Sequence, residues 1–154
     1  MRFAKNILVT TDFSEASDGA VAMAGELARA ANVKLTLLHV HGRPPAAPEA
    51  DVPPDSVLVS KNLDQDAIEG LERLKSTTLA DLDNVKVVTI EHASAPLAII
   101  DYAEETHADL IVIGTHGRTG IARLLLGSVA EKVVRHAHCA VLVVPHEKRQ
   151  SQKQ

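Results

Sequence analysis

Gly114, Gly117, Gly127 and Ser128 are the residues whose types and spacing point most directly to chemistry. They form a Gly-x2-Gly-x9-Gly-Ser pattern that follows the apolar run Leu110-Ile111-Val112-Ile113 and opens a helical pattern at Ser128. Backbone N–H groups at a helix start are unpaired and carry partial positive charge, so they suit a phosphate group. Glycine lets such a group come close to the backbone. Ser128 adds a hydroxyl, and Arg118 and Arg123 between the glycines could neutralise charge. Each residue also has a plainer reading. Ser128-Val129-Ala130-Glu131 matches a capping box, so Ser128 could simply cap its helix. Gly114 could be a turn glycine, and both arginines could be solvated.

A second polar group, Thr10-Thr11-Asp12, follows the apolar run Ile7-Leu8-Val9. A carboxylate at a strand end can accept hydrogen bonds from ribose hydroxyls. Asp12 could instead cap the helix that follows. Other constellations are weaker. No Gly-Lys-Ser/Thr run exists for a P-loop, and Thr11-Asp12-Phe13-Ser14-Glu15 lacks the glycines of a dinucleotide fingerprint. A phosphorylatable receiver would want a second acid beside Asp12 and a lysine near the fifth strand, and neither is there. His39 and His41 share one face of a strand, and His136 and His138 flank a helix end, but no Cys/His set has zinc-ligand spacing. No protein-ligated metal is expected. Cys139 is read as a small apolar filler rather than a redox thiol.

These residues need elements to hold them. Ile7-Leu8-Val9 is a continuous apolar run, which suits a strand buried on both faces of a parallel sheet. Asp12 to Glu15 supply helix-starting residues, and Ala20, Ala24, Leu27 and Ala31 give an apolar stripe that ends at Asn32. Leu35 to Val40 reads as a second strand. Pro44, Pro45, Pro48, Pro53 and Pro54 mark residues 41 to about 60 as irregular, either a lid or a surface insertion. Leu63, Ala67, Leu71, Leu74 and Thr78 form a second helical stripe. Val85 to Ile90 is a third strand. Pro96 suits the first turn of a third helix, whose buried face is Ile99, Ile100 and Ala103. Leu110 to Ile113, Ser128 to His136 and Ala140 to Val144 complete the set.

The predicted fold is α/β and Rossmann-like: a five-stranded parallel sheet in the order 3-2-1-4-5, with helices on both faces. Ligands of such sheets bind at the strand carboxyl ends where the winding reverses. Here those ends carry Thr10-Thr11-Asp12 and Gly114-Thr115-His116-Gly117. Residues 1–145 read as one domain and 146–154 as a disordered tail.

Composition bounds the partners. The 154 residues are 45% hydrophobic with a net charge of -4, and no basic block invites nucleic acid. No apolar run approaches the roughly 18 residues of a membrane span. The run at Ile7 is too short for a signal-peptide core, and a lone cysteine fits a reducing cytoplasm.

The glycine pattern resembles the signature of the ATP-binding branch of the universal stress protein family. The resemblance covers about residues 3 to 145. Residues 5–14 resemble the family's opening strand and turn, and Leu37-Leu38-His39-Val40 its second strand. Asp109 to Gly114 and Ala140 to Pro145 resemble its fourth and fifth. Two positions depart from it: Ser94 stands where glycine is frequent, and Ala140 where proline is frequent. The resemblance implies an adenine nucleotide, ATP or AMP/ADP, and magnesium is expected on its phosphates, whose oxygens it favours. Asp12 would contact the ribose, and Thr11 and the Val40 backbone would border the adenine. Gly114 and Gly117 would line the ribose and phosphate path, and Gly127, Ser128 and Val129 would hold phosphate oxygens. It also implies a homodimer through Ala140 to Val144, an apolar run expected at a sheet edge. No motif identifies a downstream protein partner.

The functional expectation is a nucleotide-binding stress-response regulator. The alternative is a slow ATP hydrolase or a phosphoryl or nucleotidyl transferase. Phosphoryl transfer needs an oriented nucleophile, and His116 is the one loop residue placed to orient water.

Overall fold

A computed structural model describes residues 4–42, 54–115 and 126–146, with 54–63 described by backbone alone. The elements run β1 (Asn6–Thr10), α1 (Glu15–Ala31), β2 (Lys34–His41), α2 (Pro54–Thr77), β3 (Val85–Glu91), α3 (Ala95–Glu105), β4 (Leu110–Gly114), α4 (Ser128–His136) and β5 (Ala140–Val144). The five strands form one sheet in the order β3-β2-β1-β4-β5, every pair parallel. This is the predicted topology. The prolines and the extension from 146 include residues outside the described ones, namely 43–53 and 147–154.

The continuous apolar runs work because both sheet faces are covered. Ile7, Val9, Leu35, Leu37 and Val112 pack with α1 and α2. Leu8, Leu38, Ile111 and Ile113 alternate to the other face and pack with α3 and α4. Right-handed crossovers dictate this division. β1, β2 and β3 step in one direction across the sheet. The chain then returns to β4 beside β1 and steps the other way, so its later helices fall on the opposite face.

α1 begins at Ser14, whose side chain accepts from the Ser17 N–H, and ends at Asn32 in the left-handed conformation. Ala20 and Ala24 are buried as expected, and Leu27 packs against the core. Ala16, Ser17, Val21, Gly25 and Ala28 complete the buried face. Ala31, the last helical residue, is only half-buried.

α2 corrects the sequence reading. It starts at Pro54, inside the segment assigned as irregular. Proline is tolerated in a first helical turn, where its missing N–H has no partner to lose. Pro54 therefore marks a helix start, not an exclusion of regular structure. Ala67 and Leu71 are buried and Leu74 packs beside them, while Thr78 lies just past the helix end.

α3 is capped by Ser94, with φ of -127° and its hydroxyl accepting from the Leu97 N–H. This ordinary extended backbone explains how serine replaces the family's frequent glycine there. Pro96 sits in the first turn, and Ile99, Ile100 and Ala103 are buried. At the other substitution, Ala140 starts β5 normally, opposite Leu110.

Arg29 near the end of α1 forks onto both carboxylate oxygens of Asp81 and donates to the Thr78 carbonyl at 3.2 Å. The guanidinium hydrogen bond holds the Asp81 carboxyl below its usual 3.8. A carboxylate depressed in the folded state adds stability above its unfolded pKa, and that stability is lost as pH falls through the folded value. Asp81→Asn should therefore flatten the acid limb. Between about pH 5 and pH 3, its melting temperature should fall less than that of the wild type. Parallel melting curves for the two proteins would refute the assignment.

Candidate functional site

β1 and β4 lie side by side in register, Ile7 opposite Leu110 and Val9 opposite Val112. Their carboxyl ends are therefore level, and a cavity of about 360 Å³ opens beyond them. Thr10, Thr11 and Asp12 form one wall. Gly127, Ser128 and Val129, at the start of α4, line another part of it. Val40, Ile99 and Ile113 supply an apolar floor, and Gly114 and Thr115 close the β4 side. The cavity thus brings together Thr11, Asp12, Val40, Gly114, Gly127, Ser128 and Val129. Gly117 lies outside the described residues, as do His116, Arg118 and Arg123.

The β1 wall is a hydroxyl network. Ser17 Oγ donates its proton to the Ser14 carbonyl at 2.9 Å. Its 3.0 Å contact with Thr11 Oγ1 must therefore be donated by Thr11. Thr11 Oγ1 in turn accepts from the Phe13 N–H at 3.0 Å. Asp12 Oδ1 accepts from both the N–H and the hydroxyl of Ser14. The cap of α1 is thus Ser14, and Asp12 acts one step earlier by fixing that cap. This replaces the reading of Asp12 as the cap itself. Ser17, which also lines the cavity, was not singled out in the sequence. Its signal was its place three residues after Ser14, on the same helix face as Ala20, Val21 and Ala24.

The α4 wall is simpler. Its cap is Gly127, with φ of -58° and ψ of 155° and no side-chain hydrogen bond. Ser128 is already the first helical residue, so it does not cap. With Gly127 at the cap, Ser128 to Glu131 is out of register for a capping box, and Glu131 accepts from Arg135 at 2.8 Å. The Gly127 N–H donates to the Thr115 carbonyl, and the Thr115 N–H to the Val144 carbonyl. These bonds tie the α4 start to the ends of β4 and β5. The first-turn N–H groups of Ser128, Val129 and Ala130 have no intrahelical acceptor.

Carboxylates gather at the start of α1. The Asp18 carboxyl is pushed up by partial burial, then by the nearby charges of Glu15 and Asp12. Asp12 is the one carboxylate among the described lining residues, and the start of α4 carries the positive end of a helix dipole.

A sequence model of the universal stress protein family matches residues 4–145. The chain belongs to the universal stress protein family. It is 36% identical over 149 residues to universal stress protein MJ0531 of Methanocaldococcus jannaschii, covering 95% of this chain and 85% of that one. Its fold matches universal stress protein UspA from Lactobacillus plantarum with a TM-score of 0.77 at 29% identity, covering 91% of this chain and 97% of that one. It also matches a universal stress protein crystallised in complex with cAMP, at 27% identity and a TM-score of 0.65, covering 95% and 100%.

The remaining polar groups lie elsewhere. Among the described residues, no group of three or more His, Cys, Asp or Glu could hold a metal ion. His138 stands 4.0 Å from Glu104 on the exposed surface. Cys139 is half-buried, and burial followed by the nearby Asp109 pushes its thiol up. It is therefore a poor nucleophile at neutral pH. Among the described residues no helix is long and apolar enough to cross a membrane.

Gly114 has a structural reason of its own. A Cβ there would lie 2.8 Å from the Ala16 carbonyl oxygen, in the first turn of α1. Glycine lets β4 end directly against the helix that carries Ser14 and Ser17. Gly114→Ala should push that turn away and destabilise the fold by about 1–3 kcal/mol. Denaturant titration checks this, and a variant as stable as the wild type would show that the contact gives freely.

Proposed function

We propose that the chain binds an adenine nucleotide in the cavity between β1, β4 and α4, and that occupancy serves regulation rather than turnover. The observation that carries this is one cavity lined by the glycine-capped start of α4, by Asp12 and by the apolar Val40, Ile99 and Ile113. In this reading phosphate oxygens meet the N–H groups of Ser128 and Val129 beside Gly127, and the Ser128 hydroxyl adds a donor. Asp12 accepts from ribose hydroxyls. Thr11 and Val40 border the adenine, whose flat apolar faces suit the floor. Gly114 and Gly117 line the path between. ATP is the favoured ligand, with AMP and ADP as its variants, and magnesium rides on the phosphates with most of its waters. The relative crystallised with cAMP supports an adenine ligand for this fold.

Residues 1–145 would act as one nucleotide-binding domain in a reducing cytoplasm. β5 is an edge strand of apolar residues, three of its five half-buried. A second copy pairing along Ala140–Val144 would satisfy its outer backbone groups and give a two-fold homodimer.

Turnover is expected to be slow for a physical reason. Helix-start N–H groups stabilise bound phosphate and transition state alike, and equal binding of both does not raise the rate. Acceleration needs an added charge or base that acts in the transition state.

Three experiments test this reading. Calorimetry with ATP and magnesium should show binding that Gly127→Val abolishes. The backbone angles at Gly127 are ones valine adopts, so its melting temperature should hold. Asp12→Asn should weaken binding while still accepting from Ser14. Unchanged affinity in the valine variant would sink the site. Steady-state phosphate release should stay below about 1 per second. A faster rate lost in His116→Ala, at unchanged affinity, would make the protein an enzyme. Light scattering should report a dimer, and a monomer at micromolar concentration would remove the β5 contact.

A further inference from the structure

His39 does not line the cavity, yet it holds the wall from behind. Its Nδ1 lies 2.8 Å from the Thr11 carbonyl oxygen. A carbonyl only accepts, so Nδ1 carries the proton and donates. The need for this donor follows from where β1 stops. Its pairing with β2 runs to Thr10 opposite Leu38, and the Thr11 N–H still donates to the Leu38 carbonyl at 3.0 Å. The chain then leaves the sheet at Asp12. The Thr11 carbonyl is left past the end of the ladder on a residue only 4% exposed. A buried carbonyl without a partner is costly. His39, itself 8% exposed, extends the ladder with a side chain.

The same imidazole packs on the Phe13 ring, with centroids 4.5 Å apart. Phe13 has φ of 64°, a left-handed conformation that a bulky residue adopts only when its surroundings impose it. The ring is pinned from α2 as well. A Cβ on Gly70 would lie 2.7 Å from a Phe13 ring carbon, so the ring fills the notch that glycine leaves. Asp12 sits between Thr11 and Phe13, and both neighbours are fixed by His39.

We propose that His39 is a positioning residue for Asp12, acting through the Thr11 carbonyl and the Phe13 ring, and that it sets nucleotide affinity without touching the nucleotide. The inference rests on the adenine-nucleotide reading of the cavity. It also makes the docking of α2 part of the site, because Gly70 completes the seat of Phe13.

The test compares full-length variants by calorimetry with ATP and with AMP, alongside thermal melting. His39→Asn places an amide donor near the position of Nδ1, and His39→Leu keeps bulk without a donor. His39→Leu should bind about 10-fold more weakly, the scale of one lost hydrogen bond. His39→Asn should bind clearly better than His39→Leu, because both lose the ring contact and melt lower but only asparagine keeps a donor. A merely structural histidine would lower both melting temperatures and leave affinity unmoved. Equal weakening in the two variants would show that the donor is irrelevant and overturn the proposal. Should His39→Leu fail to fold, His39→Gln replaces it, since its amide lies near the Nε2 position, and it should bind weakly where His39→Asn binds well. Gly70→Ala supplies a second arm. Alanine usually stabilises a helix, so weaker binding there supports the Phe13 route, and unchanged binding overturns it. Failure of the wild type to bind either nucleotide would overturn the proposed function and this inference together. Normal wild-type binding with unaffected variants would overturn the inference alone.

Discussion

The site depends on one constraint: β1 and β4 are neighbours with level carboxyl ends, although α1, β2, α2, β3 and α3 separate them in sequence. Ile7 to Val9 pair with Leu110 to Val112 in strict register. That pairing places Asp12, the α1 start and the β4–α4 connection around one opening. A slip in register would reverse which face each side chain meets, and both faces are buried. The alternating burial of Ile7, Leu8 and Val9 into two separate cores therefore also fixes the geometry of the cavity.

Small residues decide how closely those elements approach. Gly114 lets β4 end against Ala16, and Gly70 gives the Phe13 ring its seat. The Thr11 hydroxyl bonds to that of Ser17, and the Ser14 hydroxyl donates to Asp12 while accepting from the Ser17 N–H. The turn is thus set by short-range hydrogen bonds in front and by His39 behind. A rigid turn places a carboxylate before any ligand arrives, which lowers the ordering cost of binding.

The sheet order, helix faces and most element boundaries were legible because the chain carries its periodicities plainly. Ile99, Ile100 and Ala103 turn inward as their spacing predicts, and Ser128 to His136 keeps its predicted bounds. The start of α2 was not legible, since proline reads alike as a helix breaker and as a first-turn residue. The cap assignments were ambiguous for a related reason. Asp12, Ser14 and Ser128 are all capping types, and only backbone geometry shows that Ser14 and Gly127 hold the cap positions. His39 was visible as a strand histidine, but nothing in the sequence marks where β1 leaves the sheet and strands a carbonyl. Its role is a property of two strands and a helix together.

The starts of α1, α3 and α4 all line the cavity, and α1 and α4 differ in what they offer an anion. α1 is closed: Ser14 occupies its cap, Asp12 bonds to Ser14, and Glu15 and Asp18 stand in its first turn. Its positive end is met by the protein's own carboxylates. α4 is open by comparison. Its cap is a glycine without a side chain, and its one first-turn acid, Glu131, turns to Arg135. The dipole of α4 therefore acts across the cavity, while that of α1 is largely spent on its own acids. A ligand with phosphate at one end and hydroxyls at the other meets opposite polarities on the two walls. Phosphate against Asp12 would be repelled, and phosphate against Gly127 attracted. The orientation proposed for the nucleotide thus follows from which helix start is capped by serine and which by glycine.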